Sequence, residues 1–366
     1  MADSSAAIES VAVESYTIPT DRPESDGTLE WDATTLVLAR ISAGGRDGLG
    51  YGYADTATAR LVADKLAPLL AGRDALAINA RWRDMAVAIR NLGRPGIASM
   101  AMSVVDTALW DVKAKCLNKS LAILLGKARD AIPVYGSGGF TSYSIEELQE
   151  QLGGWAQAGI GMVKMKVGRN PEADIERATA AAQAIGGKAQ LFVDANGAYR
   201  RKEALRFAER YADLGVAWFE EPVSSDDLTG LKLLRDRGPA GMAISAGEYG
   251  YDLPYFRRML EGQAVDVLQA DATRCGGMTG FLGVAALCEA FNVPLSSHCA
   301  PSLHLPLCCA ARPAVHLEYF HDHVRIEHLL FDGARDPVDG KLSPADDRPG
   351  LGLIFKEQDA QCFRNS

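Results

Sequence analysis

Past residue 130 the chain alternates between short apolar runs and stretches whose apolar residues recur every three or four positions. The runs are GMVKMKV, QLFVDAN, VAWFEE, MAISAGE, VDVLQAD, VPLSSH and AVHLE. Between them, Ser144 and Glu147 have capping-box spacing ahead of Leu148, Leu152 and Trp155, and Ile175, Ala178, Ala182 and Ile185 make one stripe. The runs end near 166, 194, 220, 247, 271, 298 and 318, a period of roughly 20 to 28 residues that suits repeated strand–helix units. IPVYGS at 132–137 supplies an earlier strand. Eight such units predict an α/β fold, a TIM-type (β/α) barrel, with a doubly wound sheet as the alternative.

The first third reads differently. Residues 9–20 and 34–42 are rich in Val, Ile, Leu and Thr and predict strands. The polar segment TDRPESDGTLEWDA between them reads as a mobile loop. A helical block runs from about 56 to 126 and stops at Gly126. GLGYG at 48–52 resembles a nucleotide-binding glycine loop only in outline, because it lacks the full spacing and the helix after it. The expected division is an α+β cap over 1–128, a barrel over 129–325, and a segment over 326–366 that returns to the cap.

Barrel strands are buried on both faces and should be apolar throughout. Here each breaks that rule near its C-terminal end. In GMVKMKV, Val163, Met165 and Val167 share one face, and Lys164 and Lys166 share the other. Asp194 and Asn196 repeat the i, i+2 relation one strand later. Glu220, Glu248, Asp271, His298 and Glu318 close the next five. Taken singly, the lysine pair reads as a solvated strand face and His298 as a core histidine; taken together at successive strand ends, they read as a site. Asp194, Glu220 and Glu248 would make a hard oxygen site suited to Mg2+. The lysines are reasonable only if one meets a substrate anion and the other exchanges protons, with its neighbour depressing its pKa.

Composition narrows the partners. The 366 residues carry a net charge of −9, with no Lys/Arg-rich run, so nucleic acid is not an expected partner. No run of 18 apolar residues spans a membrane, and the polar opening MADSSAAIES has no signal-peptide character. Seven scattered cysteines without a C-x-x-C read as reduced thiols, hence a cytoplasmic setting.

The set K-M-K at 164–166, D-A-N at 194–196, W-F-E-E-P at 218–222, G-E at 247–248, Asp271, His298 and Glu318 resembles the enolase superfamily, in its mandelate racemase subgroup. ALWDVKAK…LLG at 108–126 is similar to that family's capping-domain helix. The resemblance implies a modified (β/α) barrel under an α+β cap, a homo-oligomer, and Mg2+-dependent removal of the proton α to a carboxylate through an enediolate. It implies Asp194, Glu220 and Glu248 as metal ligands, and Lys166 and His298 as acid/bases on opposite faces, His298 being oriented by Asp271. Lys164 would touch the substrate carboxylate, Glu318 would hydrogen-bond it, and Asn196 would meet a 2-hydroxyl. Glu221 would stand behind the ligands.

The expected activity is a hydro-lyase's, dehydration of an aldonic or aldaric acid to a 2-keto-3-deoxy acid. A racemase, epimerase or cycloisomerase with the same bases is the alternative, and a non-catalytic binding barrel is the reading from another class. Specificity is expected from loops at 17–33 and 48–56, with Arg22, Glu30, Trp31 and Tyr53 as contacts, and from Ser137 on the first strand. A polar lid with Arg22 would suit a polyol acid. His304, His316, His321 and His323 are read as structural or surface residues, although His321-Asp322-His323 has metal-like spacing.

Overall fold

The computed structural model describes residues 6–365; the first five residues of the polar opening and Ser366 lie outside it. The chain begins as an antiparallel meander of β1 (Ile8–Ser25), β2 (Glu30–Ala43) and β3 (Arg46–Tyr53). The segment read as a mobile loop is mostly strand. β1 and β2 run on as a hairpin to a turn at 26–29, where the Asp26 carboxylate accepts from the N–H groups of Thr28 and Leu29 at 2.6 and 2.7 Å. Its loop-like composition follows from a register break between Pro19 and Glu24, and from strand faces left polar where the hairpin outruns the sheet.

Residues 48–53 are likewise strand, not loop. A Cβ on Gly50 would lie 2.1 Å from the Val104 carbonyl and 2.5 Å from the Ala108 nitrogen. The glycines therefore let β3 lie directly on a helix. That helix is α4 (Ile97–Cys116), which follows α1 (Thr56–Leu61), a π turn, α2 (Ala67–Leu70) and α3 (Ile78–Ala88), and precedes α5 (Leu121–Leu124). Its residues are buried nearly all round because β3 covers one side and the barrel the other.

Eight parallel strands follow: β4 (Ile132–Gly138), β5 (Met162–Lys166), β6 (Gln190–Asp194), β7 (Val216–Glu220), β8 (Ala243–Ala246), β9 (Val267–Ala270), β10 (Leu295–Ser297) and β11 (Ala314–Phe320). They are joined in turn by α6 (Ile145–Gln157), α7 (Pro171–Ile185), α8 (Arg201–Asp213), α9 (Leu228–Arg237), α10 (Leu253–Glu261), α11 (Gly277–Phe291) and α12 (Pro301–Ala310). The strands pair in chain order and β11 pairs back on β4, so the sheet closes; this excludes the doubly wound alternative. The Ser144–Glu147 capping box starts α6 as its spacing predicts.

The chain continues through α13 (His321–Leu330), which contains the expected boundary at 325, then β12 (Phe331–Asp332), β13 (Lys341–Leu342), β14 (Ile354–Phe355) and α14 (Glu357–Ala360). β13 pairs antiparallel with β4, and Asn365 N–H donates to the Ser15 carbonyl of β1 at 2.9 Å. Among the described residues no helix is long and apolar enough to cross a membrane.

Candidate active site

Alternation along each strand decides which side chains enter the barrel. Val163, Met165, Leu191, Val193 and Phe219 face the helices and join the main core. The residues between them face inward. A lower layer of Tyr135, Phe192, Trp218 and His316 packs ring against ring and fills the barrel. Above it, toward the strands' C-terminal ends, stand the lysines and the acids. Gly247 makes one of these placements possible: its φ is +140°, and a Cβ there would lie 2.1 Å from the Gln269 carbonyl. The chain can thus leave β8 and bring Glu248 back over the mouth.

Asp194, Glu220 and Glu248 come from three adjacent strands, are all buried, and each places one carboxylate oxygen within 4.8 Å of the others'. Oxygen donors only, from rigid positions, fit a hard divalent cation such as Mg2+. Glu248 Oε2 is buried without a hydrogen-bond partner, as a ligand atom would be in the protein alone. Lys164 Nζ donates to both Glu220 oxygens at 2.7 Å and stands 2.8 Å from Glu318 and 3.5 Å from Asp194. Lys166 Nζ donates to Asp194 at 2.5 Å and to Asn196 Oδ1 at 3.2 Å. Trp218 Nε1 donates to Glu220 at 3.0 Å.

This mesh sets the protonation states. Burial pushes the Glu220 carboxyl up and nearby Asp194 adds to it, while Lys164 offsets part. Burial also pushes Asp194 up, but Lys166 and Lys164 outweigh it and hold that carboxylate below its usual range. The expectation that Lys164 depresses Lys166 is met only in sign. Burial and Lys164 do push the Lys166 ammonium down, but Asp194, Glu248 and Glu220 outweigh them and its pKa lies above the ordinary lysine value. Glu221 is buried too, with Oε1 unpartnered.

On the far flank, His298 Nδ1 lies 2.9 Å from Asp271 Oδ2. Nε2 points the other way, 3.4 Å from Glu248 Oε2 and 3.2 Å from Cys299 Sγ. Burial opposes a charge on His298, but Glu248, Asp271 and Glu318 outweigh it and leave its pKa above the usual value. His304 is structural: Nε2 accepts from the Ala272 N–H at 2.8 Å, and Nδ1 lies 2.9 Å from the Cys299 carbonyl. Both contacts brace the backbone next to the His298–Asp271 pair. In strand order, the three carboxylates hold one side of the mouth and Glu318 the other, with Lys166 and His298 on the flanks between them.

A cavity of about 320 Å³ opens above this ring. From the barrel it is lined by Lys166, Asn196, Glu248, His298 and Glu318, and from the cap by Trp31 and Tyr53 among others. Three expected contacts lie elsewhere. Arg22 pairs with Glu147 at 3.0 Å on the outer surface, so it does not reach the cavity. Glu30 pairs with Arg169 at 2.5 Å, also outside it. Ser137 points into the barrel but is fully buried beside Lys164 and does not line the cavity. Lys164, Asp194, Glu220 and Asp271 also lie beneath the lining, so the Lys164 ammonium meets carboxylates and not open space.

The sequence reading missed Arg274, Tyr249, Cys299 and His323, which also line the cavity. Arg274 donates to the Glu248 carbonyl at 3.0 Å, and its guanidinium lies 5.4 Å from the Tyr249 ring centroid. His323 stacks on Tyr53 with centroids 3.4 Å apart. Position was the available signal: Tyr249 and Cys299 immediately follow named site residues, and Arg274 is three past Asp271.

Known proteins are similar to this chain in sequence and fold. Residues 13–126 match the mandelate racemase / muconate lactonizing enzyme N-terminal domain, and 147–359 match the enolase C-terminal domain-like family. L-talarate/galactarate dehydratase of Salmonella typhimurium is 33% identical over 329 residues, 88% of this chain and 81% of that one. The 3,6-anhydro-alpha-L-galactonate cycloisomerase of Streptomyces coelicolor is 32% identical over 95% of this chain and 97% of its own. A mandelate racemase/muconate lactonizing enzyme-like protein from Rubrobacter xylanophilus superposes with a TM-score of 0.96 at 55% identity, covering 98% of this chain and 100% of that one. A racemase from Streptomyces coelicolor with bound magnesium gives 0.92 at 30%, covering 98% and 100%. The chain belongs to the enolase superfamily, in its mandelate racemase/muconate lactonizing enzyme branch.

Proposed function

We propose that this protein is a Mg2+-dependent hydro-lyase that dehydrates an acid sugar to a 2-keto-3-deoxy acid. The observation that carries the reading is one cavity onto which Lys166, His298, Glu248 and Glu318 all open, between two flanks that each offer a proton carrier. Asp194, Glu220 and Glu248 would hold Mg2+, whose chemistry is to stabilise the charge that builds on the substrate carboxylate. Relatives that carry magnesium or dehydrate sugar acids support both parts.

The side chains then divide the work. Lys166 and His298 face the α-carbon from opposite flanks. One, in its neutral form, takes the α-proton, and the other, in its charged form, gives a proton to the departing β-hydroxyl, which leaves as water. The resulting enol tautomerises to the 2-keto-3-deoxy acid. Asp271 fixes the His298 ring, Asn196 orients the 2-hydroxyl, and Glu318, once it has taken up a proton, donates a hydrogen bond to the substrate carboxylate as charge builds there. Lys164 neutralises the carboxylates beneath.

The cap favours an aldonic over an aldaric acid. Its contribution to the lining is Asp26, Leu29, Trp31, Ala33, Thr34 and Tyr53, without a cation. With Arg22 turned outward, the arginine in the lining is Arg274 of the barrel, already committed to the Glu248 carbonyl at 3.0 Å and 3.6 Å from the Asp271 carboxylate, so a second carboxylate finds no uncommitted arginine as counter-charge. Asp26 and Thr34 suit hydroxyl groups, and the aromatic wall suits C–H faces.

The cycloisomerase relative, aligned over nearly its whole length, keeps a second reading with the same two proton carriers. A panel of aldonic and aldaric acids, read as keto acid with semicarbazide in Mg2+, separates them. Keto acid from aldonic acids supports the proposal. Deuterium entry at C2 without keto acid favours isomerisation, and silence on both readouts sinks the dehydratase reading.

A further inference from the structure

His321-Asp322-His323 does not act as one unit. His323 turns into the active-site cavity. Asp322 is buried, accepting from Thr34 Oγ1 at 2.5 Å and pairing with Arg325 at 2.7 Å. His321, the first residue of α13, turns outward to β1. Its Nε2 lies 3.1 and 3.2 Å from the two carboxylate oxygens of Asp21.

Glu24 completes this second group. Asp21, Glu24 and His321 each place one ligand atom within 4.8 Å of the others'. Glu24 is fully buried, an unusual position for a carboxyl, and its Oε1 has no hydrogen-bond partner. Its other oxygen accepts from Trp31 Nε1 at 2.8 Å. The neighbouring cations are already engaged: Arg22 pairs with Glu147, and Arg325 with Asp322. Asp21 and His321 line a separate cavity of about 340 Å³ that opens to solvent and offers an entry path.

We propose that Asp21, Glu24 and His321 form a second divalent-cation site, of the Zn2+ type, that clamps the β1–β2 hairpin of the cap to the barrel. Two carboxylates and one imidazole with an open fourth position are donors that a borderline-soft cation accepts and Mg2+ does not favour. The cation meets the free Glu24 oxygen, which no protein group satisfies. It also ties the site to the substrate cavity, because Trp31 bonds Glu24 with its indole N–H and lines the cavity with its ring. The inference is independent of which reaction the enzyme catalyses.

The test uses the full chain, free of affinity tags and held in excess Mg2+, titrated with ZnCl2 in a calorimeter. Zn2+ that displaces Mg2+ from the active site is common to parent and variants, so the readout is the difference. The parent should bind about one Zn2+ more than His321→Ala or Asp21→Asn, each of which weakens that equivalent about tenfold or more. Both variants should keep the parent's Mg2+ affinity and its melting temperature in EDTA, which separates loss of a ligand from loss of the fold. Zn2+ should also change tryptophan fluorescence, and Trp31→Phe should abolish that change while leaving the stoichiometry. Equal Zn2+ uptake by parent and both variants, or no uptake by the parent, overturns the proposal.

Discussion

Asp271 Oδ2 and His298 Nδ1 lie 2.9 Å apart, with the imidazole's other nitrogen aimed at the Glu248 carboxylate. His298 burial and the two histidines around Asp271 make this a polarised pair. Burial acts against the Asp271 charge, but His298, His304 and Arg274 outweigh it and hold the carboxylate well below the usual range. Asp271→Asn removes a group that pushes His298 up. The limb of the pH–rate profile that reports His298 should therefore move to lower pH, and kcat should fall on the order of 10²–10⁴-fold because ring orientation is lost. A profile and a kcat like the parent's would show that Asp271 does not position the ring.

Lys166 and His298 open onto one cavity from different flanks, and the proposed chemistry needs both. Lys166→Ala and His298→Asn should each lower turnover on the order of 10²–10⁴-fold with little change in melting temperature. Exchange of the α-proton in D2O assigns the roles. The variant that lost the base should stop exchanging, and the one that lost the acid should exchange without releasing water. If only one variant is impaired, the elimination runs on a single face.

Glu220 has two claims on it. Both its oxygens accept from Lys164 at 2.7 Å, and one is within reach of Asp194 and Glu248. Glu220→Gln keeps the shape and one acceptor but removes the charge. Mg2+ affinity should fall by about tenfold or more, equivalent to about 1.4 kcal/mol. Calorimetry that finds the same Mg2+ affinity would remove Glu220 from the ligand set.

Much of this site was legible because strand periodicity is local. Given that GMVKMKV is a strand, Lys164 and Lys166 must share a face, and the apolar character of Val163 and Met165, which join the core packed on the helices, decides which. The carboxylates follow by the same rule on the next strands. The cap was less legible. Arg22 and Trp31 sit nine residues apart on one hairpin, and whether each faces the cavity depends on the register break between Pro19 and Glu24. A one-residue change of register reverses every side chain beyond it, and composition does not report it. Arg22 thus meets Glu147 on the outside while Trp31 enters. The reading of 48–56 as a loop failed for a related reason, since GLGYG is strand. Its glycines answer to α4, a partner more than fifty residues away.

The cap also rests on the barrel through a titrating group. Asp106 of α4 is fully buried and accepts from the N–H and hydroxyl of Thr279 at 2.9 and 2.7 Å. Burial pushes its carboxyl up to about 7, and the Thr279 and Met278 contacts recover only part of that. The folded state therefore keeps a proton on Asp106 that the unfolded chain gives up near its ordinary value, about 3.9. Between those values the folded state binds the extra proton, so stability falls as pH rises, by about 1.4 kcal/mol per unit at most, and levels off above about 7. Asp106→Asn removes this dependence. Its melting temperature relative to the parent should climb between about pH 4.5 and pH 7.5, by on the order of 2 °C for each kcal/mol relieved. A difference between the two proteins that stays flat over this range would mean that Asp106 is ionised in the fold and that its contacts to Thr279 outweigh its burial.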